Sequence, residues 1–160
     1  MVGVISNSDG RADVVASAVN IFKAAGATFV VHCGDVGGRH VLDALADELP
    51  ATFVWGDRDR DRMGLLRYGH SLDVDCLGLI GDLDVDQKKI AVVHGDDRKL
   101  LRKLLDEQQH DYLLCGHELT LEDYTVGKTR VLNPGPVHGA QSGSVLLFDP
   151  ASGQVKLVPI

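Results

Sequence analysis

Five times in this chain an apolar run that reads as a strand ends in glycine beside Asp, Asn or His. Residues 2–6 lead into Asn7-Ser8-Asp9-Gly10, and residues 28–32 into Cys33-Gly34-Asp35. Residues 52–55 lead into Gly56-Asp57-Arg58-Asp59, 89–93 into His94-Gly95-Asp96, and 112–115 into Gly116-His117-Glu118. In open α/β sheets the carboxyl edge of the strands is where ligands bind. Glycine beside each polar residue lets the backbone turn sharply there. Repetition of this unit restricts the chain to a fold whose strands run side by side and share one edge.

The intervening segments agree. Residues 11–25 place Val14, Val15, Ala18, Val19 and Phe22 at spacings of three and four, which predicts a helix stopped by Gly26. Residues 39–49 do the same with Val41, Leu42, Leu45 and Leu49, and Pro50 ends the helix. Helices alternating with short β-rich runs predict parallel βαβ units. Residues 57–70 are polar and carry no clear period. The second half predicts strands at 77–80 and 89–93, a helix at 97–107 and a strand at 112–115. Strands at 121–126, 128–132, 144–149 and 154–158 follow, paired through turns at 126–128 and 150–153. The expectation is an α/β fold in which βαβ units come first and an antiparallel end follows, with two sheets in one domain over residues 1–160.

Composition excludes several classes. A chain of 160 residues with 44% hydrophobic and 24% charged residues can bury a core without disulfides. Its net charge of −7 argues against a bulk electrostatic grip on nucleic acid. Cys33, Cys76 and Cys115 are widely spaced and odd in number, which reads as reduced thiols, with Cys33 and Cys115 buried. The first residues carry no basic segment followed by a long apolar one, and no apolar run approaches the roughly 20 residues that span a bilayer. These features predict a cytoplasmic protein with no membrane partner.

Taken singly, each polar tip has an ordinary explanation. Asp9 and Asp96 precede helices and read as caps, and a Gly-Asp or His-Gly pair reads as turn chemistry. Taken together, two histidines and several carboxylates on one edge are what a metal site needs.

The order of the tips resembles the calcineurin-like metallophosphoesterases, in their small bacterial and archaeal phosphodiesterase branch. That family reads Asp-x-His, Gly-Asp, Gly-Asn-x-Asp, His-Gly-x, Gly-His-x-His and then Asn-Pro-Gly-Ser. This chain reads Asn7-Ser8-Asp9, Gly34-Asp35, Gly56-Asp57-Arg58-Asp59, His94-Gly95-Asp96, Gly116-His117-Glu118-Leu119 and Asn133-Pro134-Gly135-Pro136. The resemblance covers residues 2 to about 158. It implies a sandwich of two mixed β-sheets flanked by helices, and a site for two metal ions.

Carried over residue by residue, one half-site is Asp35, Asp57, His94 and His117, each a competent ligand. Asp57 stands where the family has asparagine and adds a negative charge. Two imidazoles with two carboxylates suit Mn²⁺ first, with Fe²⁺, Zn²⁺, Ni²⁺ and Mg²⁺ as alternatives. The other half-site becomes Asn7, Asp9, Asp35 and Leu119. Leucine cannot ligate, so this remnant is weak or empty and takes oxygen-preferring cations if any. The resemblance further implies that Asp35, His94 and His117 are catalytic, acting on a phosphate-ester small molecule. Arg58 has two readings, a bidentate phosphate contact or a solvated member of the charge run at 58–62. His138, after the Asn-Pro-Gly turn, reads as a surface-loop residue, or as a supplier of the missing nitrogen or of an acid. His32 reads as structural, and His40, His70 and His110 as solvated.

Two functional readings follow. The first is a metal-dependent phosphodiesterase or phosphatase with altered metal preference. The second is a catalytically inactive scaffold of the same fold that binds a protein or ligand. Substrate-facing residues are expected on loops 57–75 and 133–143. The C-terminal hairpin strands are candidates for pairing in a homodimer.

Overall fold

The computed structural model describes residues 1–47, 49–138 and 143–160. The first three strands hide both faces, and their side chains alternate accordingly. In β1 (Val2–Ile5), Val2 and Val4 enter one apolar cluster and Ile5 enters another on the opposite face. β2 (Phe29–His32) divides the same way, with Val30 on one side and Val31 on the other. So does β10 (Ser144–Asp149), where Val145 and Leu147 oppose Leu146 and Phe148. With β3 (Ala51–Phe53), β4 (Val74–Cys76) and β11 (Gln154–Pro159), these form a six-stranded sheet of order β11-β10-β1-β2-β3-β4. β1 to β4 run parallel, and β10 and β11 are antiparallel additions.

The second sheet is five-stranded, of order β5-β6-β7-β9-β8. It contains β5 (Ile80–Val85), β6 (Lys88–Val93), β7 (Tyr112–Leu114), β8 (Glu122–Val126) and β9 (Thr129–Asn133). β6, β7 and β9 are mutually parallel, while β5 and β8 form antiparallel edges. The sheets face each other across one cluster, where Val4, Val31 and Phe148 meet Ile90, Val92, Leu114 and Leu132.

Four helices cover the outer faces among the described residues. α1 (Ala12–Ala24), α2 (Arg39–Leu45) and α3 (Arg62–Ser71) lie on the first sheet, and α4 (Arg98–Glu107) lies on the second. α1 buries Val15, Ala18, Val19 and Phe22. Phe22 lies flat on Gly3, where any Cβ would collide with the ring. Burial of that phenylalanine contributes roughly 1.5–3 kcal/mol. None of the helices is long and apolar enough to cross a membrane.

Three expectations need correction. The run at 57–70 contains α3, whose start is set by the Asp61 carboxylate accepting the Gly64 N–H at 3.0 Å. Its weak period hid it because glycines occupy two of its inward positions, Gly64 and Gly69. Of the predicted strand at 77–80, residues 77–79 form the turn between β4 and β5, and Ile80 begins β5. The predicted caps also differ. α1 has no side-chain cap, and α4 is capped by Asp97, which accepts the N–H groups of Lys99 and Leu100 at 3.0 and 3.1 Å.

The topology explains the shared edge. β1, β2 and β3 run the same way, so their ends lie side by side. β6, β7 and β9 align the tips at 94–96, 116–118 and 133–136 in the same manner. Backbone bonds tie the tips within each edge and across them. Asn7 N–H donates to the Gly34 carbonyl at 3.1 Å in the first sheet, Gly116 N–H to the His94 carbonyl at 2.8 Å in the second, and Val137 N–H to the Ser6 carbonyl at 2.9 Å between the two.

Candidate metal centre

The tips are built from backbone that ordinary residues avoid. Asn7, Asp9, Asp35 and His117 all have positive φ, at 54°, 45°, 57° and 62°. Asn, Asp and His tolerate this left-handed region better than most residues, and such strain clusters at functional sites. Gly34 packs so closely on His94 that a Cβ would lie 2.6 Å from its Nδ1.

His94 is the centre of the arrangement. It is 1% exposed, and its Nδ1 lies 2.8 Å from the Cys33 carbonyl oxygen. A carbonyl only accepts, so in the neutral ring Nδ1 carries the hydrogen and Nε2 presents a lone pair. Nε2 faces Asp57 Oδ1 at 3.1 Å and Asp35 Oδ2 at 3.3 Å, a spacing that calls for a proton or a metal ion between nitrogen and carboxylates. His117 approaches from β7's end, with Nδ1 3.3 Å from Asp57 Oδ1 and its ring edge-on to His94 at 5.3 Å. Donor atoms of Asp57, His94 and His117 all lie within 4.8 Å of one another. This is a nitrogen-and-oxygen set that could hold a divalent ion.

Burial works against ionisation of Asp35, but its contacts with His94 and the Arg58 N–H outweigh that effect and hold the carboxyl below its usual range. Burial likewise disfavours a charged His94, and the hydrogen bonds to Asp35 and the Cys33 carbonyl more than reverse it. Beside His94 opens a cavity of about 210 Å³ lined in part by Trp55, Arg62, Leu79 and Asp96.

The remaining expected site residues lie close by with different partners. The Asn7 side chain is buried, and its Oδ1 accepts from Ser6 Oγ at 2.5 Å and from the His117 N–H at 3.2 Å. Asp9 Oδ2 accepts from Arg58 Nη1 at 2.9 Å and lies 3.8 Å from His138 Nε2. Leu119 points into solvent. His40 and His70 are exposed, as expected. His110 is not: it is 9% exposed, with Nε2 2.6 Å from Asp82 Oδ1. Of loop 133–143, residues 139–142 lie outside the described residues.

Two supporting residues escaped the sequence. Asp59 sits within what reads as a solvated charge run, yet it is 3% exposed. It accepts the backbone N–H groups of Val36, Gly37 and Gly56 at 3.2, 2.9 and 2.8 Å. Two other members of the run are also engaged: Asp61 caps α3, and Arg62 donates to the Gly56 carbonyl at 2.9 Å while stacking near Trp55. Only the spacing Asp57-x-Asp59 hinted at a role for Asp59. Ser8 is the second. Its buried Oγ lies 2.8 Å from His32 Nε2 and donates toward the Asp35 and Val36 carbonyls.

His32 is fully buried beneath the site, and burial, reinforced by nearby His94, lowers its pKa to about 3. The unfolded chain therefore takes up a proton near pH 6.5 that the folded chain refuses. Stability from the neutral ring is present above pH 6.5 and is lost as pH falls toward 3. Between pH 7.5 and 4.5 this one group should cost about 2–3 kcal/mol. Urea unfolding of His32→Gln, which keeps a partner for Ser8 without titrating, should show a flatter pH profile by that amount. Parallel profiles for the two proteins would assign the acid sensitivity to other groups.

Comparison with known proteins agrees with this architecture. The sequence profile of the calcineurin-like phosphoesterase superfamily domain matches residues 1–153. A phosphodiesterase of Methanocaldococcus jannaschii is 24% identical over 147 residues, which is 89% of this chain and 87% of that protein. The structure of an archaeal phosphodiesterase superposes with a TM-score of 0.88 at 18% identity, over 99% of each chain. Zinc-complexed Vps29 of Entamoeba histolytica superposes with a TM-score of 0.66 at 19% identity, over 99% of this chain and 97% of that one. By profile match, fold and the order of its strand-end motifs, the chain belongs to the calcineurin-like phosphoesterase superfamily.

Proposed function

We propose that this protein is a metal-dependent phosphoesterase, with Asp35, Asp57, His94 and His117 holding one divalent ion, Mn²⁺ first among the candidates. The observation that carries the reading is the convergence of Asp57, His94 and His117 donors around a lone pair that the Cys33 carbonyl aims. The donor set fits such an ion, because each group is an anionic oxygen or a neutral imidazole nitrogen. When bound, the ion lowers the pKa of a coordinated water and draws charge from phosphoryl oxygens.

The chain's own residues do the rest. Cys33 O fixes the orientation of the His94 ring, and Asn7 Oδ1 holds the His117 backbone through its N–H. Arg58 lies beside Asp35 and Asp9 with its outer face open, and it can donate to a phosphate oxygen. Trp55 and Leu79 give the cavity near His94 an apolar wall, suited to the organic part of a small ester. Position 58 offers no histidine, so no imidazole there protonates a leaving group. Free buried thiols at Cys33 and Cys115 suit a reducing cytoplasm.

A second reading, a binding scaffold without catalysis, is favoured by Leu119, 65% exposed at a ligand position of the family pattern. One experiment separates the two. The protein is loaded in turn with Mn²⁺, Ni²⁺, Mg²⁺ and Zn²⁺, its metal content is measured, and hydrolysis of bis(p-nitrophenyl) phosphate is followed. Metal-dependent hydrolysis abolished in His117→Ala is the expected result. Protein that takes up no ion and stays inert with all four would leave the scaffold reading standing.

A further inference from the structure

The half-site that has lost its ligands still holds a positive charge. Leu119 has no donor and faces solvent. Both acceptor directions of Asn7 Oδ1 are already taken by Ser6 Oγ and the His117 N–H, and its Nδ2 points to the His117 carbonyl at 3.4 Å. What remains is a pair of carboxylates, Asp9 and Asp35. Between them lies the guanidinium of Arg58. Its Nη1 is 2.9 Å from Asp9 Oδ2 and its Nε is 3.8 Å from Asp35 Oδ2, while its backbone N–H donates to Asp35 Oδ1 at 3.0 Å.

Resting on the phosphoesterase reading above, we propose that Arg58 occupies the place of a second metal ion. The centre is then built for a single ion plus a guanidinium. An ion held by Asp57, His94 and His117 would supply one positive contact for the phosphate of the ester, and Arg58 would supply the other.

The chemistry is consistent with this division. A guanidinium stays positive at every working pH and carries five N–H donors in a planar fork. Asp9 engages Nη1, and Asp35 lies 3.8 Å from Nε. The side chain is still 62% exposed, so further N–H donors of the fork remain for phosphate oxygens. A second divalent ion would have to expel Arg58 and settle for carboxylate oxygens without the nitrogen donors that the first position offers. Among the described residues, His138 offers an imidazole nitrogen nearby. Its Nε2 is buried with no hydrogen-bond partner among them, 3.8 Å from Asp9 Oδ2, the oxygen that Arg58 also binds. If it recruited an ion, Arg58 would be displaced, and that arrangement is the competitor to be tested.

The test uses the whole chain and two readouts besides turnover. Mn²⁺ is titrated calorimetrically into metal-free protein, with content confirmed by mass spectrometry of the metal. Inorganic phosphate is then titrated into the loaded protein. Wild type is expected to take one equivalent of Mn²⁺. Arg58→Ala should bind the first ion within about threefold of wild type but bind phosphate about 10- to 100-fold more weakly, the range for losing charge-assisted hydrogen bonds. Arg58→Lys should recover part of the phosphate affinity. Arg58 lies on the surface, and matching melting curves confirm that its variants fold.

Two equivalents in wild type would overturn the proposal while leaving the metal centre intact. A fall to one equivalent in His138→Ala would then name the replacement ligand. Unchanged phosphate affinity in Arg58→Ala would overturn it equally. No bound ion at all would sink the metal centre and this proposal together.

Discussion

Protein carrying His94→Ala is expected to lose its metal and with it at least about a hundredfold in phosphodiester hydrolysis, the largest functional loss of any single substitution at the site. The reason is geometric. The His94 ring touches both candidate ligand carboxylates, Asp57 at 3.1 Å and Asp35 at 3.3 Å, and its orientation is set from behind by the Cys33 carbonyl. Removing the ring leaves a void between the two edges and takes from Asp35 one of the contacts that keep it ionised. A carboxylate left in that position is costly unless it protonates. The measurement is thermal unfolding with and without saturating Mn²⁺, beside metal content and rate. Wild type should melt at a higher temperature with the ion present, because a ligand that binds only the folded state stabilises it. His94→Ala should show no such rise. A variant that kept both the rise and the rate would place the metal elsewhere on the molecule.

Asp59→Asn is expected to cost about 3–5 kcal/mol of folding stability, although it changes one atom's chemistry and no volume. The Asp59 carboxylate accepts three backbone N–H groups, with Oδ1 taking Gly37 and Oδ2 taking both Val36 and Gly56. An amide offers one accepting oxygen and one NH₂. Whichever way it is placed, at least one buried N–H faces another donor. Each unsatisfied buried group costs about 1–3 kcal/mol, and a charge-assisted bond is worth more than a neutral one. Asp59→Ala should fall in the same range or below it in stability. Denaturant unfolding reads the loss directly. The effect should reach the site, because Gly56 and Val36 flank the loops that carry Asp57 and Asp35. Metal affinity should therefore weaken even in Asp59→Asn protein that is still folded. Wild-type stability in Asp59→Asn would mean that the three N–H groups find other partners.

Asp59 also shows where reading a sequence fails. Arg58-Asp59-Arg60-Asp61-Arg62 looks like a solvated charge run, and composition cannot separate its members. Tertiary packing does. Asp59 turns inward to bind N–H groups of two loops, Asp61 turns along the chain to cap α3, and Arg62 reaches back to Gly56. His110 is the same case. Nothing local says that it is buried, because its partner Asp82 comes from another strand. α3 was illegible because its buried face is partly glycine, which carries no hydrophobic signal.

What the sequence determined by itself was the order and type of elements around the site, and the residues at the strand ends. Period-two and period-3.6 patterns are local consequences of burial, so they are written in the chain. So is the succession of Gly-Asp and Gly-His tips. The family resemblance carried by those tips implies Asp35, Asp57, His94 and His117 as candidate ligands, and the structure brings Asp57, His94 and His117 together with Asp35 against His94. What only the tertiary structure decided was how each polar group is paired. The registers of two sheets set Asn7 against His117, Arg58 against Asp9 and Cys33 O against His94. Those contacts span up to 110 residues of sequence, and no local pattern encodes them. They turn a list of donors into one poised cluster with an arginine beside it.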